Sequence, residues 1–268
     1  MILGERTTPP YRFRRGSSAL IVSMPHVGTY IPPSVARTLD DVAAQRPDTD
    51  WHLPRLYDFL EALGATVLAA THSRYVIDVN RPPDDTNLYP GQDTTGLCPV
   101  DTFDKRRLYR DAVPRAAEIE QRIERFWKPY HARLAGEIER VRSERGRVAL
   151  WDAHSIVCMA PRFFEGRLPD FNIGTAGGRS CAPALAEELL AIARRHAPYT
   201  AVLDGRFKGG HITRRYGDPA GNVNAIQLEM AEAIYMDERP PYPFREDRAN
   251  AVRPVLRELL ATAERWAQ

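Results

Sequence analysis

Residues 17–32, SSALIVSMPHVGTYIP, decide how the rest of the chain is interpreted. The first half is an apolar run of strand length, and it breaks at Met24-Pro25, which brings His26 into a turn that contains Gly28. A histidine at the end of a single strand is most often an ordinary packing or surface residue. Its meaning therefore depends on which other side chains reach the same end of a sheet.

Length and composition limit the class of protein. The chain has 268 residues, 43% of them hydrophobic and 27% charged, which is enough to bury the core of one α/β domain spanning residues 1–268. The formal net charge of +2 does not indicate binding to nucleic acid or to an anionic membrane. We therefore expect a small-molecule partner, and the sequence leaves the oligomeric state open.

Cysteine usage and hydropathy predict a cytoplasmic protein. The three cysteines have no CxxC spacing, which argues against both a disulfide framework and a thiolate zinc site. No apolar run approaches the roughly 18–20 residues that a membrane span needs. The polar start, residues 1–16, lacks the hydrophobic segment of a signal peptide.

Strand-like and helix-like segments alternate along the chain. Strands are predicted at 17–23, 66–71, 74–79, 148–154, 200–204 and 222–230, and helices at 50–64, 182–196 and 246–267. A further long helix carries apolar residues from Ile119 to Val141 and ends at Gly146. This order predicts an α/β fold with helices on both faces of a mostly parallel sheet. The long loop 81–103 is a candidate functional segment, because loops of this length in a compact domain are more often functional than not.

Polar side chains collect at the predicted carboxyl ends of these strands, where ligands bind in such sheets. They supply the imidazoles and carboxylates that can hold zinc with three protein ligands and leave a free carboxylate as a base. The set consists of His26, Asp78, Asn80, Arg81, Asp152, His154 and Glu229.

The third ligand of such a metal site is ambiguous in the sequence, because no HExxH or HxxE motif is present. If His26 and His154 bind a metal, Asp50 is the best third candidate and Asp48 is close behind. Helix N-capping is an equally good interpretation of either aspartate. Asp152, two residues before His154, is interpreted as a carboxylate that orients the imidazole.

Arginines complete the chemical pattern. Arg74, Arg81 and Arg214 flank predicted loops or strand ends, and a guanidinium group suits bidentate binding of a carboxylate. They indicate a small acidic substrate, although surface ion pairs are the alternative. His211 lies in the glycine-rich segment 207–217, which we predict as a loop that could bring it near a ligand.

An ordered series of motifs resembles the N-formylglutamate amidohydrolase family between about residues 17 and 242. The motifs are SMPHVGTYIP, DTDWHLPRLYDF, SRYVIDVNRP, DAHS, GTAGGRSC, FKGGHITRRYG and AIQLEMAEAIYMDE. This family is similar to the zinc carboxypeptidases and aspartoacylases. The resemblance implies a three-layer α/β/α sandwich around a mixed sheet, of the phosphorylase/hydrolase-like type.

The resemblance also implies an activity, the hydrolysis of N-formyl-L-glutamate to formate and L-glutamate in histidine degradation. It implies one Zn²⁺ per chain, or another divalent metal, on His26, Asp50 and His154, with Asp50 replacing the missing HxxE glutamate. Glu229 is then the base and Arg74 stabilises the oxyanion. The pair Asn80 and Arg81 matches the family's Asn-Arg pair for the substrate carboxylate. We also assign Arg214, His211 and Gly210 to substrate binding, with His211 standing where the deformylases are expected to have an aromatic residue.

Three other functions fit parts of the pattern. A related zinc amidohydrolase acting on another N-acyl amino acid would share every motif. A non-catalytic protein on the same fold would bind acidic ligands, although Glu229 and both histidines argue against it. A cysteine hydrolase would use Cys158, which lies in an apolar segment that is typical of packing.

Overall fold

A mixed β-sheet forms the centre of the fold in the computed structural model, which describes residues 8–268. Residues 1–7, part of the polar start on which the signal-peptide argument rests, lie outside the described residues. Within 8–268 the sheet has seven strands in the order β1-β3-β2-β4-β7-β5-β6. They are β1 (Tyr11–Arg14), β2 (Leu20–Met24), β3 (Thr66–Ala70), β4 (Val148–Ile156), β5 (Phe171–Gly174), β6 (Ala201–Leu203) and β7 (Val223–Ala231).

The four central strands, β3, β2, β4 and β7, run parallel to one another. The edges are antiparallel, because β1 pairs antiparallel with β3 and β5 pairs antiparallel with β7. Every residue of β2, β4 and β7 is buried, which is the burial expected of parallel strands that are covered on both faces. The sheet confirms the predicted mixed α/β fold.

Eight α-helices connect and cover the strands in the described part of the chain. They are α1 (Pro33–Ala36), α2 (Asp41–Gln45), α3 (Leu53–Leu56), α4 (Ala116–Arg122), α5 (Lys128–Arg145), α6 (Pro183–Arg195), α7 (His211–Tyr216) and α8 (Glu246–Trp266). Helices α5 and α8 pack on β2 and β4, and α6 packs beside α8. None of the helices between residues 8 and 268 is both long enough and apolar enough to cross a bilayer.

The long predicted helix is present, with one local change of winding. Helices α4 and α5 are joined by the π-helical turn Ile123–Trp127, and Pro129 lies in the first turn of α5. Gly146 ends α5 in the left-handed conformation at φ 80°, as the sequence predicts. Helices α6 and α8 and strands β4 and β7 also lie where the periodicity places them.

Two predicted elements are wrong. Residues 74–79 form a buried turn instead of a strand, because Ser73 accepts hydrogen bonds from the following backbone and the Asp78 amide donates to the Leu97 carbonyl. The predicted helix 50–64 is reduced to α3 and the 3₁₀ turn Asp58–Leu60. Both segments are apolar because they are buried, and burial alone does not select strand or helix.

Candidate active site

A pocket opens at the carboxyl ends of the parallel strands, as the fold rule for such sheets predicts. We call it the strand-end pocket; it encloses about 580 Å³ including its open mouth. His26 follows β2, while His154 on β4 lies beside Glu229 on β7 in the same register. Its lining is His26, Asp50, Arg74, Asn80, Arg81, Tyr89, Thr94, Phe103, His154, Ser155, Ile156, Phe163, Arg206, Phe207, Gly210, Gln227 and Glu229.

Three potential ligand atoms converge on the floor of the pocket. The Nδ1 atoms of His26 and His154 are 3.1 Å apart, and Oδ2 of Asp50 lies 3.1 Å from Nδ1 of His154 and 3.7 Å from Nδ1 of His26. All three side chains are buried. The structure thus brings together the three residues predicted as metal ligands.

The far nitrogen of each imidazole is held by a carboxylate. His26 Nε2 is 2.6 Å from Oδ1 of Asp78, and His154 Nε2 is 3.1 Å from Oδ2 of Asp152. For His26, the Asp78 carboxylate favours a proton on Nε2 and leaves the Nδ1 lone pair facing the pocket. Nε2 of His154 also lies 2.9 Å from Nδ2 of Asn80, so a carboxylate and an amide group both contact this nitrogen. The interpretation of Asp152 as an orienting residue therefore agrees with the structure, and Asp78 plays the same part for His26.

This donor set fits a divalent metal ion. Ligand atoms about 2.0–2.1 Å from a tetrahedral zinc ion lie about 3.3 Å apart, which is close to the three separations on the pocket floor. Two imidazole nitrogens and one carboxylate oxygen are also ligands that zinc accepts. The two Nδ1 atoms lie only 3.1 Å apart, and a cation shared between them would stabilise this close approach.

The structure distinguishes between Asp50 and Asp48, the two candidates for the third ligand. Asp50 accepts no helix-capping bond; instead its amide donates to the His26 carbonyl at 3.1 Å, which places the carboxylate beside both imidazoles. Asp48 points elsewhere, since its Oδ2 accepts from the Phe103 amide at 3.0 Å, and burial raises the pKa of Asp48 to about 6. The position before α3 is occupied by His52 without a side-chain cap, so N-capping explains neither aspartate.

Glu229 and Arg74 both line the pocket beside the three ligand atoms. Burial raises the pKa of Glu229 to about 8, although His154 and Arg74 oppose the shift. The Arg74 guanidinium donates to Asp78 at 2.7 Å, stacks over the Phe103 ring at 4.8 Å, and has Nη1 3.4 Å from Nδ1 of His26. A carboxyl group whose pKa is raised by burial and a buried guanidinium therefore face the same space.

Asn80 is close to the predicted site, but its amide is used inside the protein. Oδ1 accepts from the Ile212 amide at 2.8 Å, and Nδ2 lies 2.9 Å from Nε2 of His154 and 3.3 Å from Oδ2 of Asp152. Gly210 packs directly against this amide, because a Cβ at Gly210 would lie 2.5 Å from Nδ2 of Asn80. Asn80 therefore connects the carboxylate behind His154 to the segment that begins α7.

Two predicted substrate-binding residues do not line the pocket. Arg214 donates to the Gly209 carbonyl at 2.8 Å and lies over the Tyr89 ring. His211 lies against the rings of Trp127 and His131. Residues 207–217, which were predicted to form a loop, form helix α7 from His211 onward. Gly210 is the last residue of this segment that lines the pocket.

Sequence reasoning missed part of the lining. Aromatic walls come from Tyr89, Phe103, Phe163 and Phe207, and Arg206 supplies a further guanidinium group. Arg206 follows β6 by three residues, so the strand-end argument that selected His26 could also have selected it. Tyr89 and Phe103 lie on loop 81–103, whose length predicts a functional segment.

Cys158 does not have the surroundings of a nucleophile. Its Sγ is 3.1 Å from Oε2 of Glu238, and burial together with this carboxylate raises the pKa of Cys158 to about 11. It is also not part of the pocket lining. A thiolate is the reactive form of cysteine, so the structure disfavours a cysteine hydrolase.

An α/β sheet with two imidazoles, an aspartate and a buried glutamate at its strand ends defines a hydrolase with a candidate metal centre. The chain belongs to the N-formylglutamate amidohydrolase family, whose profile matches residues 18–236. The predicted family is therefore confirmed.

Individual relatives extend this similarity over nearly the whole chain. The chain is 51% identical over 257 residues to an N-formylglutamate deformylase of Pseudomonas aeruginosa, with 96% of each chain covered. It is 48% identical over 255 residues to one of Pseudomonas putida, with 95% of each covered. The crystal structure of an N-formylglutamate amidohydrolase from Ralstonia eutropha JMP134 matches with a TM-score of 0.80 at 28% identity, covering 97% of both chains.

Proposed function

We propose that the chain hydrolyses N-formyl-L-glutamate to formate and L-glutamate, with zinc or another divalent cation held by His26, Asp50 and His154. The convergence of three ligand atoms within 3.7 Å of one another carries the proposed metal site. Two full-length relatives that are named N-formylglutamate deformylases support the substrate. Histidine degradation as the pathway and the cytoplasm as the location stay predictions from the sequence.

The proposed chemistry divides between the cation and Glu229. A cation bound by these three residues supplies Lewis acidity, which polarises a carbonyl and acidifies water. Glu229 accepts the proton of the water that attacks the formyl carbon, and then delivers it to the departing amine. Its place beside His154 in the β4–β7 register puts this carboxylate next to the ligand atoms.

Arginines bind the negative charge in this proposal. Arg74 donates to the oxygen that becomes negative when the formyl carbonyl is attacked, and its ion pair with Asp78 holds it in place. Arg81 binds a substrate carboxylate at the pocket wall. Asn80 and Gly210 act indirectly, since they position Asp152 and the start of α7.

The proposal is tested on purified protein by measuring metal content and formate release before and after chelation. We expect one bound divalent metal per chain, loss of formate release on chelation and recovery on adding zinc. Activity that survives complete metal removal would contradict the metal site. Bound metal without formate release from N-formyl-L-glutamate would contradict the substrate.

A related amidohydrolase for another N-acyl amino acid is the second candidate, and a series of acyl groups separates the two. We expect kcat/KM to fall when the formyl group is replaced by acetyl or propionyl. A higher kcat/KM for a longer acyl group would favour the second candidate.

A further inference from the structure

The three arginines that line the strand-end pocket differ in their counter-charges. Arg74 is paired with the carboxylate of Asp78 at 2.7 Å. Arg81 uses its guanidinium to bond the Thr95 and Asn80 carbonyls and the Thr95 hydroxyl. Among residues 8–268, neither Arg81 nor Arg206 has a carboxylate within ion-pair distance.

Arg206 is held in place by uncharged groups. Its Nε donates to the Phe163 carbonyl, and its Nη2 lies 3.5 Å from the Asp93 carbonyl. Nη1 has no hydrogen-bond partner in the part of the chain that the structure describes. Burial lowers the pKa of Arg206 below the usual arginine value, and Arg81 acts in the same direction. The group remains charged, because arginine does not lose its proton in proteins.

A neighbouring arginine shows what a structural ion pair looks like in this region. Arg162 lies beside the same Phe163 ring as Arg206, at 5.5 Å and 5.8 Å respectively. Arg162 is bonded to the carboxylates of Asp93 at 2.9 Å and Asp101 at 2.7 Å. The Asp93 carboxylate is thus used by Arg162, and Arg206 receives only the Asp93 carbonyl.

The proposed substrate has two carboxylates, one on the α-carbon and one at the end of its side chain. With the formyl group at the three ligand atoms and one carboxylate on Arg81, the second carboxylate still needs a cation. We propose that Arg206 binds the side-chain carboxylate and is the residue that selects an acidic N-formyl amino acid. This inference rests on the proposed function and deepens it.

Arg214 offers a matched comparison. Arg206 and Arg214 both lie over the Tyr89 ring, at 5.5 Å and 5.0 Å, but only Arg206 lines the pocket. Replacing either one removes a guanidinium from the same aromatic ring. Only the loss of Arg206 removes charge from the space that the substrate would occupy.

The test compares kcat/KM for N-formyl-L-glutamate with kcat/KM for N-formyl-L-glutamine, which has nearly the same shape and no side-chain charge. Metal-loaded wild type, Arg206→Met and Arg214→Met are assayed by formate release, with Arg206→Lys as a variant that keeps the charge. We expect Arg206→Met to lower the glutamate-to-glutamine ratio by about 10- to 100-fold, the usual size of a lost charged hydrogen bond. Arg206→Lys should restore part of the ratio, and Arg214→Met should leave it near the wild-type value.

Activity on N-formyl-L-glutamine reports whether each variant is folded and metal-loaded. An unchanged ratio in Arg206→Met, with wild type active on N-formyl-L-glutamate, would overturn the role of Arg206 and leave the proposed function standing. A fall of the ratio in Arg214→Met alone would overturn it in favour of Arg214. Wild type that releases no formate from N-formyl-L-glutamate would overturn the proposed function, and the role of Arg206 with it.

Discussion

The strand-end pocket has two regions that are built in different ways. Its floor, formed by His26, Asp50, His154 and Glu229, depends on the central sheet, where β4 and β7 pair in parallel over nine residues with His154 beside Glu229. Its rim, formed by Arg81, Tyr89 and Arg206, lies on loops and is held by side-chain bonds to carbonyls and by stacking on rings. The strand ladder thus fixes the spacing of His154 and Glu229, and the bond from the Asp50 amide to the His26 carbonyl links the other two floor residues. The spacing of the rim depends on side chains.

This difference assigns different tasks to the two regions. Proton transfer and metal binding need atoms held within a few tenths of an ångström, which buried parallel strands provide. Selection among substrates depends on which charges line the opening, and loops carry such charges in many enzymes. Changes in the floor should therefore lower kcat or metal binding, whereas changes in the rim should alter KM or the ratio between substrates.

The largest effect is expected from Glu229→Gln in the floor. The variant keeps the shape of the side chain and loses its ability to accept a proton, so kcat should fall by about 10² to 10⁴-fold. KM for N-formyl-L-glutamate and the bound metal should change little, because Glu229 is not one of the three ligands. We would measure kcat and KM from steady-state formate release, and metal content on the same sample. Near-normal turnover at full metal occupancy would show that another group is the base.

A smaller effect is expected from Gly210→Ala, which joins the two regions. The new Cβ would lie 2.5 Å from Nδ2 of Asn80, so Asn80 must move, and with it the bonds to Asp152 and Ile212. We expect a loss of about 1–3 kcal/mol in the free energy of unfolding, measured in urea.

Gly136→Ala is the control for that substitution. Gly136 lies in helix α5 and a Cβ there meets no atom within 4 Å, so alanine should stabilise the protein by about 0.5–1 kcal/mol. If Gly210→Ala were as stable as wild type, Asn80 could not be the rigid link between rim and floor.

The smallest effect is expected from Tyr89→Phe in the rim. The Tyr89 hydroxyl donates to the Gly209 carbonyl at 3.0 Å and accepts from the Lys208 amide at 3.1 Å, which joins loop 81–103 to the segment before α7. Losing these partly exposed bonds should cost about 1 kcal/mol and raise KM about fivefold, with kcat unchanged. Tyr11→Phe on the edge strand β1 is the control, and a fall in kcat without a rise in KM would place Tyr89 with the floor.

Most of the floor could be predicted from the sequence, because the position of each histidine follows from the strand directly before it. His26 and His154 each lie at the end of an apolar run, and strands of a parallel sheet bring their carboxyl ends to one edge. Asp50 is the preferred aspartate because it begins the helix predicted after the first strand, although the structure shortens that helix to α3. The choice against Asp48 needed a contact with Phe103, which is 55 residues away in sequence.

The rim could be predicted only in part, because its members are selected by contacts between distant segments. Whether Arg206 or Arg214 reaches the pocket depends on where α7 begins and on the position of Tyr89 between them. The pairing with Arg81 predicts a substrate contact for Asn80, yet its amide is bonded to the Ile212 backbone and faces Asp152 and His154. Hydrophobic periodicity does not predict such contacts between side chains that are far apart in the sequence.

The parallel register of β4 and β7 also has a consequence for directed evolution. Loop insertions, deletions and substitutions do not alter a distance that is set by ladder hydrogen bonds between two buried strands. A mutant library confined to residues 81–102 and 204–208 would therefore vary the accepted side chain while His154 and Glu229 keep their strand register. This separation lets new substrates be selected within one scaffold without first rebuilding its catalytic centre.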